Sequence, residues 1–172
     1  MELLYERFFN ILKEAIKTRP VDVLFIGRSA MPFYGIKTST VDLDFEIQGI
    51  SEQEFYQLKE LLDRNHLIAD FSEDVSRWSL IPLPEDYRER ARVVYEREGI
   101  RFKVLDPVDF VISKLRRGTV EDEEDSMAVI QVFGITEEDI RERIKMVTIP
   151  KDLESLFFMK RIERFLSSLK GH

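Results

Sequence analysis

Two carboxylates, Asp42 and Asp44, flank a single leucine, and Gly27-Arg28-Ser29 closes an apolar run a short way upstream of them. On an extended strand, side chains at i and i+2 point the same way, with Cα atoms roughly 6–7 Å apart. The pair therefore offers hard oxygen donors side by side. Mg2+ suits such a set, since it takes one or two carboxylates and completes its shell with water and substrate phosphates. A glycine turn directly after a strand can aim backbone N–H groups, and here also the Ser29 hydroxyl, at a phosphate. Arg28 sits in that turn, and Lys37, Thr38 and Thr40 precede the acidic pair, where they can meet triphosphate oxygens. Together these residues point to metal-assisted phosphoryl or nucleotidyl chemistry. Taken singly, each has a plainer role: a polar strand edge for the acids, an ordinary tight turn for the glycine. Aspartate is disfavoured in strands, however, and two within three residues ask for a reason.

Composition removes several other chemistries. The 172 residues contain no cysteine and only His66 and His172, which excludes disulfides, thiolate sites and cysteine nucleophiles and argues against a histidine-rich zinc centre. A formal charge of −7 is wrong for a surface that coats nucleic acid. No apolar run approaches the roughly 20 residues of a membrane span, and no signal pattern opens the chain, so a cytoplasmic protein is expected. Ser29 lacks the flanks and the histidine of a hydrolase nucleophile.

The positioning elements follow from periodicity. Leu4, Phe8, Ile11, Leu12, Ala15 and Ile16 mark an amphipathic helix closed by Pro20, and residues 21–26 read as an apolar strand. Residues 30–34 suit a short helical turn. Residues 41–47 alternate, with Val41, Leu43, Phe45 and Ile47 on one face and Asp42, Asp44 and Glu46 on the other. Ser51 and Glu54 form a capping box for a helix that buries Phe55, Leu58, Leu61 and Leu62. Residues 69–85 are mixed, with a strand expected over 77–81 before Pro82 and Pro84, then a short helix over 85–90. Strands at 92–96 and 100–105 join in a hairpin at Glu98-Gly99. Asp106-Pro107 starts a helix that Gly118 ends, and further helices follow over 121–132, from Thr136, and over 153–169. Lys114, Arg116 and Arg117 have a simple role as cations in a last helical turn, and Asp122 and Asp125 as an acidic helix start. The expectation is one α+β domain over 1–172, with an α+β core to about residue 106 and a helical tail from 107 that shares its core.

The order Gly27-Arg28-Ser29-Ala30, Tyr34-Gly35, Thr40-Val41-Asp42-Leu43-Asp44 resembles the signature of the polymerase-β-like nucleotidyltransferase superfamily. In particular it resembles small prokaryotic members related to the toxin components of abortive-infection systems. The likeness continues through Leu83-Pro84, Tyr87, Arg90, the run from Val104 to Phe110, Ser113-Lys114-Leu115-Arg116-Arg117, and Asp122 with Asp125, and so covers roughly residues 20–130. It implies a mixed sheet flanked by helices and a Mg2+- or Mn2+-dependent transfer of a nucleoside monophosphate from a nucleoside triphosphate. The acceptor would be a hydroxyl of a protein, an RNA or a small molecule. By the same resemblance Gly27 and Ser29 hold phosphates, Asp42 and Asp44 hold metal, and Lys114 contacts the nucleotide. Two positions depart from the pattern. Thr38 stands where a basic residue is common, with Lys37 one earlier. Active members usually carry a third carboxylate on a later strand, and over residues 100–105 the alternation puts Arg101 and Lys103 on the site-facing side, with Glu46 or Asp106 as substitutes. Lys103 there favours an alternative, a non-catalytic nucleotide- or protein-binding relative, such as a toxin–antitoxin-type component with a partner protein. A phosphatase of the haloacid-dehalogenase type fits poorly, because Lys37-Thr38-Ser39-Thr40 rather than an apolar strand precedes the acids.

Overall fold

Alternation along the strands sorts aromatic side chains to one side of a sheet and charged ones to the other. A computed structural model describes residues 2–39 and 42–171. Helix α1 (Leu3–Ala15) buries Tyr5, Phe8, Phe9 and Leu12. The chain then enters β1 (Val21–Phe25), passes through a 3-10 helix over Gly27–Tyr34, and returns in β2 (Leu43–Ile47). Val41, expected at the head of this strand, lies outside the described residues. Helix α2 (Glu52–Arg64) opens with the anticipated capping box between Ser51 and Glu54. It leads to β3 (Ala69–Ser72), and β4 (Arg92–Arg97) and β5 (Ile100–Val104) complete the sheet.

The strand order is β3-β2-β1-β5-β4. β1 runs antiparallel to β2 and parallel to β5, β2 runs parallel to β3, and β4 pairs with β5 as a hairpin. Glu98 and Gly99 both take positive φ at its tip, the conformation that matches a two-residue turn to strand twist. On one face Phe25, Phe45 and Phe102 meet Phe8 of α1, while Phe71 of β3 stacks on Phe45 and meets Phe55 of α2. The other face carries the in-register pairs Asp44–Asp70 and Leu24–Lys103, with Glu46 opposite Leu24.

The strand expected over 77–81 is not formed. Val75–Trp78 is instead a 3-10 turn, capped by Asp74, whose side chain accepts the Ser76 N–H. Arg116 takes the carbonyls of Val75, Ser76 and Ile81, so these groups are already engaged without a neighbouring strand. After α3 (Tyr87–Arg90) and the hairpin, Asp106 caps α4 (Pro107–Leu115). Helices α5 (Val120–Phe133), α6 (Glu137–Ile144) and α7 (Leu153–Leu169) follow. Their buried side chains join those of the sheet in a continuous hydrophobic cluster from Tyr5 to Leu166. The architecture is α+β, a mixed five-stranded sheet flanked by helices with a helical C-terminal part. Among the described residues no helix is long and apolar enough to cross a membrane.

Candidate active site

The turn after β1 and the start of β2 are built against each other. Gly27 opens the 3-10 helix at φ +55°, and a Cβ placed there would lie 3.2 Å from Asp44 Oδ2. A side chain at this position would therefore crowd the carboxylate as well as strain the backbone. Ser29 is buried, and its hydroxyl donates to the Asp42 carbonyl at 3.0 Å and accepts the Asp44 N–H at 2.8 Å. The Asp44 carbonyl in turn accepts the Ile26 N–H at 3.0 Å. Ser29 thus spends its hydroxyl on the backbone of the acidic pair and does not line the cleft that the pair faces. Its effect on the site is to hold the two carboxylates in register.

Asp44 has an acidic neighbour that the sequence reading missed. Asp70 of β3 lies directly across from Asp44, and like charges so placed on adjacent strands repel. Burial, then Asp70, then Asp42 push the Asp44 carboxyl up to about 6, against the opposing pull of Lys114 and Arg117. Asp42, Asp44 and Asp70 all line one open cleft of about 950 Å³, within the range of small-molecule sites. The signal for Asp70 was weak, because β3 is a four-residue edge strand whose alternation (Ala69 and Phe71 inward) is too short to stand out.

Three expectations about a third acid are corrected. Lys103 shares the sheet face of Asp44 but does not line the cleft: β5 lies beyond β1, Lys103 is in register with Leu24, and its ammonium pairs with Asp22 at 2.8 Å. Glu46 is no substitute, being buried with the Arg88 guanidinium, the Tyr87 hydroxyl and the Val75 N–H all donating to it. Asp106 is engaged as the α4 cap and in pairs with Arg92 and Arg143.

The opposite wall of the cleft comes from α4 and α5. Lys114 is buried in the last turn of α4, with Nζ 2.8 Å from Asp125 and 3.4 Å from Asp122. Arg28 meets Asp125 at 3.1 Å and Arg117 meets Asp122 at 2.7 Å. Burial works to raise the Asp122 carboxyl, but hydrogen bonds from Arg117 and Thr119 outweigh it and bring it down to about 2. Asp122 stays ionised, and together with Asp125 it holds the three cations in place beside the cleft. Gly27, Arg28 and Lys114, read in the sequence as phosphate- or nucleotide-binding residues, line it together with Arg117 and Ser39. Lys37 is exposed and outside the lining, and Thr40 lies outside the described residues.

Acidic side chains nevertheless outnumber basic ones around the cleft. Among the described residues no group of three or more His, Asp or Glu side chains is placed to hold a metal ion. The arrangement is an open field of carboxylate oxygens, which matches the coordination habit of Mg2+, a cation that keeps waters and substrate oxygens in its shell.

A family model described as "Nucleotidyltransferase of unknown function (DUF6036)" matches residues 6–158. The chain belongs to that nucleotidyltransferase family. No curated protein and no solved structure matches it. In this DUF6036 nucleotidyltransferase the matched span runs from α1 into α7 and contains every residue of the cleft, Asp42, Asp44, Asp70 and Lys114 included.

Proposed function

We propose that the protein moves a nucleoside monophosphate from a nucleoside triphosphate to a hydroxyl acceptor, with Mg2+ (or Mn2+) held by Asp42 and Asp44 and with Asp70 beside them. The observation that carries this reading is the meeting of Asp42, Asp44 and Asp70 with Arg28, Lys114 and Arg117 on one open cleft. A site short of positive charge would repel a bare triphosphate and would accept one that arrives with a divalent cation. The donor set fits, with hard oxygens only and Gly27 in place of any residue whose Cβ would crowd Asp44. Bound there, Mg2+ would supply charge compensation for the triphosphate and the departing pyrophosphate.

The chain's own groups then have separable tasks. Arg28 and Arg117 reach the cleft on partly exposed side chains and orient phosphate oxygens, while Lys114, fixed by Asp122 and Asp125, presents its charge from the α4 wall. The acceptor oxygen forms a bond to the α-phosphorus as the bond to pyrophosphate breaks. Among the described residues no histidine lines the cleft, so the hydroxyl proton passes to an exposed carboxylate, for which Asp70 is the candidate, and from there to water. The alternative of a non-catalytic relative rested on Lys103, and the Lys103–Asp22 pair leaves it without support.

The test is incubation with each α-labelled nucleoside triphosphate and Mg2+, with and without cell extract, for the natural chain and Asp42→Ala/Asp44→Ala. Label transfer is expected with the natural chain alone. Transfer that persists in the double variant would overturn the assignment.

A further inference from the structure

The chain has a single tryptophan, Trp78, and it stands at the cleft rather than in the core, with 43% of its surface exposed. Its one polar atom is already satisfied, since the indole N–H donates to Ser72 Oγ at 2.9 Å. Ser72 lies on β3 with Asp70, so this bond ties the ring edge to the strand that carries the cleft's third acid. An indole whose edge is fixed and whose ring stays partly open has what stacking requires and serves no packing need that would explain the exposure.

The turn bearing Trp78 is held unusually firmly for a surface segment. Glu46 accepts the Val75 N–H at 3.0 Å, and Arg116 donates to the carbonyls of Val75, Ser76 and Ile81 at 2.9–3.3 Å. Glu46 follows Asp44 on β2, and Arg116 follows Lys114 at the end of α4, so the ring is anchored to both walls of the site. A platform fixed before the ligand arrives loses little freedom on binding.

We propose that Trp78 is the platform on which the nucleobase stacks, with the triphosphate running from it toward Asp42, Asp44 and Asp70. The assignment rests on the nucleotidyltransferase reading of the cleft and adds to it a base-binding subsite. Recognition of this kind tolerates any base, because every base has a π-face.

Because Trp78 is the only tryptophan, its emission reports on the subsite directly. In the presence of Mg2+, ATP, GTP, CTP and UTP are expected to quench it. Inorganic tripolyphosphate, which has no base, is expected to bind by calorimetry without comparable quenching. Trp78→Ala should weaken nucleotide binding by roughly tenfold, about 1.4 kcal/mol, and leave tripolyphosphate binding unchanged. Trp78→Phe, which keeps an aromatic face, should recover most of the loss and guards against a folding defect in the alanine variant. Nucleotide affinity equal in natural chain and both variants, or equal quenching by tripolyphosphate, would overturn the stack and leave the nucleotidyltransferase reading intact. Failure of the natural chain to bind either nucleotide or tripolyphosphate would instead bring down that reading, and the stack with it.

Discussion

Asp44 and Glu46 share one strand and one face of the sheet, yet they meet opposite fates. Glu46 is buried beneath a guanidinium, a phenol and a backbone N–H, all donating to it. Asp44 is given two carboxylates as company, and its own carboxyl rises to about 6 through burial and those neighbours. The first arrangement ties the turn at 75–78 and α3 to the sheet, and it leaves no capacity for a ligand. The second costs stability in the bare protein and keeps its oxygens available. Burial of an acid alone is therefore uninformative here, and what surrounds the acid tells a brace from a site.

The largest effect should come from neutralising the available acids. Asp44→Asn and Asp70→Asn are each expected to lower label transfer by on the order of 10²–10³-fold with the fold intact by circular dichroism. Lys103→Ala should leave transfer near that of the natural chain. An Asp70 variant of undiminished activity would break the contrast at its newest point. Next in size is the brace: Glu46→Ala strands the Tyr87 hydroxyl, the Val75 N–H and the Arg88 charge, and should cost about 2–4 kcal/mol in denaturant unfolding. Arg88 is partly exposed, which keeps the figure below that of a fully buried pair.

Asp44→Asn should move stability the other way. Without divalent cation it removes repulsion, and its melting temperature should rise by about 2–4 °C, the shift that ~1 kcal/mol makes in a domain of this size. Added Mg2+ should raise the melting temperature of the natural chain and not that of the variant. The smallest effect sharpens the same contrast at a third acid. Burial works to raise the Glu54 carboxyl, but hydrogen bonds from Thr18, Ser51 and Lys17 outweigh it and bring it to about 2. A carboxyl lowered in the fold stabilises above its unfolded pKa, and the contribution fades as pH falls through the folded one. Glu54→Gln should thus be less stable at pH 7 by ~1 kcal/mol, a value discounted for the exposure of this group. The difference should vanish between about pH 4.5 and 2 in acid-unfolding curves.

Much of this contrast could be read in the sequence, and its decisive member could not. The Asp42/Asp44 pair, the Gly27 turn, the capping box at Ser51 and the hairpin at Glu98-Gly99 depend on local spacing, and each is formed, with Asp42 itself just ahead of β2. Asp70 depends on strand order: it matters only because β3 pairs in parallel with β2, a relation made across the whole of α2. Lys103 was misplaced for the same reason, since alternation gives the face of a residue and not the strand beside it. Ser29 shows a different limit. Its hydroxyl was expected at a phosphate, and only the fold reveals that the backbone of Asp42 and Asp44 takes up both its donor and its acceptor.

Arg116 has a consequence for what the cleft can admit. Burial lowers its guanidinium only to about 10, so it remains a cation at neutral pH, and it spans from the end of α4 to the turn at Val75–Trp78. Arg161 of α7 holds the carbonyls of Leu115 and Arg116 from behind. One side chain of fixed length thereby sets the gap between the wall that carries Lys114 and the wall that carries Trp78. The opening behaves as a calliper locked at one setting, and the size of the molecule that fits between its jaws is written in the reach of an arginine.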